Sequence, residues 1–144
     1  MLVPVKKLRE NAVLPSRGSA AAAGADLYAC LDAEAVLAPG ETLLVPTGLS
    51  LEIPDGFVGL VFARSSVASK RGLAPANKVG VIDSDYRGEL LVALYNHGAV
   101  PQMIAPGERI AQLVIVPYLA ADYTEAETLS ETARGSGGFG STGR

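Results

Sequence analysis

The chain has 144 residues, 49% hydrophobic, with 12 Lys and Arg against 15 Asp and Glu for a net charge of −3. That length suits one domain with a substantial core, and the acidic balance excludes a general nucleic-acid binder working by phosphate neutralisation. The lone cysteine, Cys30, permits no intrachain disulfide, so a reducing cytoplasm is the expected compartment.

The opening MLVPVKKLRE (1–10) lacks the charged, apolar and small-residue regions of a secretory signal. No apolar run approaches the length that spans a bilayer. AAAGA (21–25) is alanine-rich, but Gly24 interrupts it and no amphipathic period follows. Turn signals then recur as LAPGE, EIPDGF, YRGE and APGER. Between them lie the β-favouring runs ETLLVPTGLSLEI (41–53), FVGLVFA (57–63), NKVGVID (77–83), ELLVALYN (89–96) and RIAQLVIVPYL (109–119). Several are continuously apolar, which predicts strands buried on both faces. Only RSSVASKRG (64–72) resembles a helix, with Ser at its start, Lys and Arg at its end and Gly72 to stop it. The expected fold is all-β, a jelly-roll-like barrel with one short helix and a flexible C-terminal tail. Residues 1–133 form the body and 134–144 a glycine-rich segment.

Five stretches could carry chemistry. At 63–73, a strand running into a helix offers free N–H groups to an anion, with the Ser65 and Ser66 hydroxyls and the Arg64 fork beside them. The alternative is an ordinary N-cap with a solvated Arg64. In NKVGVIDSDYRGELL (77–91), Asp83 ends an apolar strand and is expected to be partly desolvated and rigidly aimed, as a general base should be. Asp85 and Gly88 read as turn residues, and Tyr86 as hairpin packing or a flat wall against a sugar. Asp26 in GADLYA suits an Asx turn or an outer-sphere metal contact, and Gln112 among apolar neighbours needs amide partners. His97 reads as a turn residue, and Cys30 as a small buried hydrophobe.

The tail RGSGGFGSTGR (134–144) formally matches G-x-G-x-x-G at Gly135, Gly137 and Gly140. It lacks the strand, helix and distal acid that a dinucleotide site needs. Its backbone N–H groups could still wrap phosphate oxygens, and Phe139 is an aromatic that a solvated terminus has no use for.

In this order AGADLYA (23–29), ARSSVASKRGL (63–73), VGVIDSDYRGEL (79–90), GERIAQLVI (107–115) and RGSGGFGSTG (134–143) resemble the five motifs of the trimeric dUTP diphosphatases. Two positions depart from the family's habit: Ala63-Arg64-Ser65-Ser66 stands where Pro-Arg-Ser-Gly is common, and Ala25 where an aromatic is frequent. The resemblance implies a homotrimer that hydrolyses dUTP to dUMP and pyrophosphate with Mg²⁺, each active site drawing on all three chains. It implies that Asp83 activates the attacking water, and that Arg64, Ser65 and Ser66 hold phosphates with Gln112 nearby. Asn77 and the backbone at Val81 and Ile82 would read the uracil, Leu91 would line the far strand, and Tyr86 would exclude a 2′-hydroxyl. Mg²⁺ would sit mainly on substrate phosphates, with Asp26 at most outer-sphere. The tail would close as a lid, Phe139 stacking on uracil while Arg134, Ser141 and Thr142 meet the outer phosphates.

A dCTP deaminase shares this fold and often has Arg-Ser-Ser in the second motif. It needs a proton-shuttling glutamate where this chain has Ala93, which cannot move a proton. A non-catalytic nucleotide-binding module of the same fold is the third reading; it would have no need of Asp83 or the tail.

Overall fold

The structure is a computed structural model that describes residues 1–138. Twelve strands and one helix follow in chain order: β1 (Val5–Lys7), β2 (Ser16–Arg17), β3 (Ala25–Tyr28), β4 (Ala35–Leu37), β5 (Thr42–Pro46), β6 (Leu49–Leu51), β7 (Phe57–Phe62), α1 (Ser65–Arg71), β8 (Leu73–Pro75), β9 (Gly80–Ile82), β10 (Leu91–Asn96), β11 (Gln102–Ile104) and β12 (Arg109–Pro117). All pairings are antiparallel. The largest sheet has the order β2-β3-β12-β7-β9; a second has β5-β10-β8; and β1-β6 and β11-β4 form two short ribbons. The expected all-β class with one short helix is what the chain adopts.

One hydrophobic cluster joins all the sheets. Leu27, Val61, Ile110 and Leu113 enter it from the large sheet, Val45, Val92, Leu94 and Leu73 from the second, and Leu37, Ile104 and Leu49 from the ribbons. Burial of this kind stabilises by about 25 cal/mol per Å² of apolar surface, which makes it the dominant favourable contribution to the fold.

The run 41–53 is two strands. Gly48, with φ +68°, breaks it at Thr47–Gly48, sending β5 to β10 and β6 to β1. A Cβ at Gly48 would lie 2.7 Å from Ala12 Cβ and Cys30 Sγ, so both backbone and space call for glycine. Most expected runs also alternate rather than bury both faces. Leu44 and Val81 are each 60% exposed, and Leu91, paired with Pro46, is 43% exposed. A single chain covers only the inner face of these strands.

Helix α1 fits its expected position to within a residue. Its N-cap is Arg64, extended at φ −80° and ψ 143°, with no side-chain cap, and Gly72 ends it in the left-handed region at φ 67°. The Ser65 hydroxyl therefore does not serve as a cap. Among the described residues no helix is long and apolar enough to cross a membrane.

Candidate active site

A pocket of about 360 Å³ opens where β3, β12 and the start of α1 meet. Asp26 lies in it with its side chain 14% exposed. Arg64 Nε donates to Asp26 Oδ1 at 2.6 Å, and Arg109 Nη1 to Asp26 Oδ2 at 3.3 Å. One carboxylate thus holds two guanidinium groups, and the pocket keeps a net positive charge that suits an anion. Arg64 is not the solvated side chain of an ordinary cap, and Asp26 is not in an Asx turn. Ser65 and Ser66 stand exposed on the rim.

Gln112 completes the pocket. Its Nε2 donates to Ala63 O at 2.9 Å, which ties β12 to the backbone just before Arg64. Gly24 makes room for it: a Cβ there would overlap Gln112 Oε1 and lie 3.1 Å from Cδ and 3.3 Å from Cβ. Gly24 has no positive φ, so close approach, not flexibility, explains the glycine.

Arg109 was not expected as a site residue, and the reason is a β-bulge. In β12, Arg109 pairs with Tyr28, Ala111 with Leu27 and Gln112 with Asp26, so one extra residue intrudes. Asp26 and Tyr28 share a face, and therefore so do Arg109 and Gln112, although three residues apart. In a regular strand that odd spacing would send them to opposite faces. The bulge re-aims Arg109 into the pocket.

The other candidate residues lie elsewhere. Asp83 follows β9 and borders a separate groove of about 550 Å³ with Val58, Leu60, Val81, Ser84, Asp85 and Tyr118. Both Asp83 and Val81 are exposed, so the expectation of a partly desolvated aspartate at the end of a buried strand does not hold within one chain. Ile82 pairs with Gly59, which places Asp83 opposite the start of β7, while Arg64 follows its far end. At about 3.3 Å per residue the two backbones are roughly 20 Å apart. Tyr86 Oη donates to Glu89 O at 3.0 Å. Asn77 is exposed in the turn before β9, where Lys78 adopts φ 66°.

The dUTPase family profile matches residues 10–143, nearly the whole chain. The chain belongs to the dUTPase family. It is 54% identical over 131 residues to a deoxyuridine 5′-triphosphate nucleotidohydrolase of Desulfitobacterium hafniense, covering 90% of this chain and 87% of that one. With the protein of the same name from Syntrophotalea carbinolica it shares 49% over 141 residues, covering 98% and 96%. A dUTPase of Staphylococcus bacteriophage 80alpha with dUpNHpp superposes with a TM-score of 0.90 at 32% identity, covering 99% of each chain. A mutant dUTPase from phage phi11 of S. aureus, described as coordinating a structural Mg(II) ion, superposes at 0.79 with 29% identity, covering 89% and 98%.

The pocket's donor set bears on any metal in this family member. Both Asp26 oxygens accept from arginines, and the described residues contain no cluster of three potential ligands. Such a donor set offers no all-protein cage and fits Mg²⁺ only where phosphate oxygens and water supply the ligands.

Of the tail, Arg134 is exposed and its Nε donates to Gly137 O at 2.8 Å. Phe139, Ser141 and Thr142 lie outside the described residues. Cys30 is buried as expected. Its thiol donates to Asn11 Oδ1 at 3.1 Å, and burial pushes its pKa up. His97 sits edge-on to Tyr95 at 4.5 Å between ring centroids.

Proposed function

We propose that this dUTPase-family chain hydrolyses dUTP to dUMP and pyrophosphate, in sites shared between the copies of a homotrimer. The observation that carries the reading is the cationic pocket in which Asp26 aims Arg64 and Arg109 beside Gln112. The names of the D. hafniense and S. carbinolica relatives give the substrate.

Arg64, Ser65, Ser66 and Gln112 bind the phosphates, and Arg109 adds charge. Asp83 accepts a proton from water as its oxygen attacks the α-phosphorus. The bond from that phosphorus to the bridging oxygen breaks, and pyrophosphate leaves. In-line attack needs the base within hydrogen-bond reach of the water, a condition that the roughly 20 Å separation along β7 rules out within one chain. The Asp83 of a second copy is therefore brought to the pocket of the first. The apolar side chains exposed at Leu44 and Leu91 on one sheet and at Val81 on another support such an assembly.

Asn77 and the backbone at Val81 and Ile82 read the uracil edge, Leu91 lines the strand opposite, and Tyr86 stands against the sugar as a steric gate. Mg²⁺ carried on the triphosphate would offset its charge, and Asp26 would face that ion at most through water. Residues 134–144 act as a lid on the body formed by 1–133, with Phe139 on the base and Arg134, Ser141 and Thr142 at the outer phosphates. Alanine at position 93, half-buried in β10, offers no proton shuttle, which disfavours deamination. A lone buried thiol suits a reducing compartment, and we place the activity in the cytoplasm.

Incubation with dUTP, dCTP, dTTP or UTP plus Mg²⁺, followed by ion-exchange separation, tests the reading. It expects dUMP and pyrophosphate from dUTP alone. Conversion of dCTP to dUTP, or no turnover of any nucleotide, would overturn it.

A further inference from the structure

We propose that Gly88 is a specificity-positioning residue: it is glycine so that the Tyr86 ring can close down on the turn after β9. The proposal rests on the reading of Tyr86 as the gate against a 2′-hydroxyl.

The backbone at Gly88 makes no demand for glycine, because its φ lies outside the left-handed region. Space does. A Cβ at Gly88 would overlap the Tyr86 hydroxyl and lie 2.5 Å from Cζ and 2.9 Å from Cε2. The ring thus occupies the volume that any side chain at 88 would need, and its hydroxyl is pinned there by Glu89 O at 3.0 Å.

An added methyl can be relieved by moving either the backbone or the ring. The backbone is anchored on both sides of Gly88. Arg87 O accepts from Ser50 Oγ at 2.8 Å, and Leu90 N donates to Leu49 O at 2.7 Å; the Glu89 side chain adds a tie, its Oε1 accepting from Gly48 N at 2.9 Å. Ser50 and Leu90 are buried and hold the turn against β6. Tyr86 is 45% exposed, so its ring can swing toward solvent. A side chain at 88 therefore displaces the gate while leaving the turn in place. Asp83 lies three residues before Tyr86 in that same turn and keeps its backbone contact, Tyr86 N donating to Asp83 O at 3.2 Å.

The test measures kcat/KM for dUTP and UTP in the wild type, Gly88→Ala, Tyr86→Ala and the double variant, with melting temperatures alongside. Tyr86→Ala should relax the preference for dUTP. Gly88→Ala should lower the dUTP/UTP ratio by about tenfold or more, chiefly through gained UTP turnover. In the double variant Gly88→Ala should change neither the ratio nor the melting temperature further, since the ring it displaces is gone. If Tyr86→Ala relaxes the preference and Gly88→Ala does not, the proposal fails and the gate stands. If Tyr86→Ala leaves the preference intact, the gate reading fails and takes the proposal with it. Should Gly88→Ala alone not fold, recovery of folding in the double variant supports the ring contact. A double variant that also fails to fold overturns it.

Discussion

The Asp26 pocket and the Asp83 turn, to which we assign the two halves of the proposed reaction, are built differently. In the pocket the central side chains are held in place: Asp26 by two arginines, and Gln112 by the backbone carbonyl of Ala63. Around the turn Asp83, Asn77 and Tyr86 are exposed, and Val81 and Leu91 show apolar surface to solvent. The first half is organised by the chain's own contacts before any ligand arrives. The second has its backbone fixed by β6 and β7 while its side chains stay open to solvent. On the proposed trimeric reading, a neighbouring copy would cover it and desolvate the base.

The sharpest way to break this comparison is to remove the base. Asp83→Asn should lower kcat by about 10²–10⁴, the usual loss of a general base, with binding of dUpNHpp retained because the pocket is untouched. Near-normal turnover would take Asp83 out of the mechanism. Mixing sharpens the same point. Asp83→Asn and Arg64→Ala chains, each inactive alone, should regain roughly a quarter of wild-type activity after equal subunit exchange, since their defects fall in different sites of a symmetric assembly. No recovery after verified exchange would place both residues in a site of one chain.

The two halves were also unequally legible in the sequence. The strand into α1, its Gly72 stop, and the apolar runs around β7, β10 and β12 announced themselves through period and punctuation. Asp83 is visible as an acid closing an apolar run, but its exposure is not, because an apolar run does not tell which of its faces the same chain covers. The short strands β1, β2, β4 and β11 have two or three residues each, too few for any periodicity to register. Arg109 was hidden by the β12 bulge, which inverts the parity that strand arguments depend on. A charged residue three before Gln112 would have been worth testing against a bulge register.

Within the pocket, the next largest effect should come from Asp26→Asn. The amide keeps the shape but has a single acceptor oxygen, so it loses one of the two bonds to arginine, worth about 1.5–3 kcal/mol, and weakens the other. The guanidinium pair is then no longer held together, and kcat/KM for dUTP should fall by about tenfold or more. The pocket also becomes more cationic, so inorganic pyrophosphate should inhibit as well as before or better. A parallel loss of dUTP turnover and pyrophosphate binding would show that Asp26 serves the pocket's folding and not the aim of Arg64.

The smallest expected effect tests how much precision the pocket holds in reserve. Gly24→Ala adds one methyl where Gln112 Oε1 now sits, and Gln112 Cβ lies 3.3 Å from the new carbon on a strand paired on both sides. The strand cannot recede, so the amide must rotate and give up its 2.9 Å bond to Ala63 O. A bond of that kind contributes about 1 kcal/mol, which corresponds to a few-fold rise in KM for dUTP with kcat largely kept. Gln112→Ala should produce a similar rise, and the double variant no more than either alone, because both changes act through the same amide. Fully additive effects would mean that Gly24 touches the site by another route, most directly by moving β3 and with it Asp26.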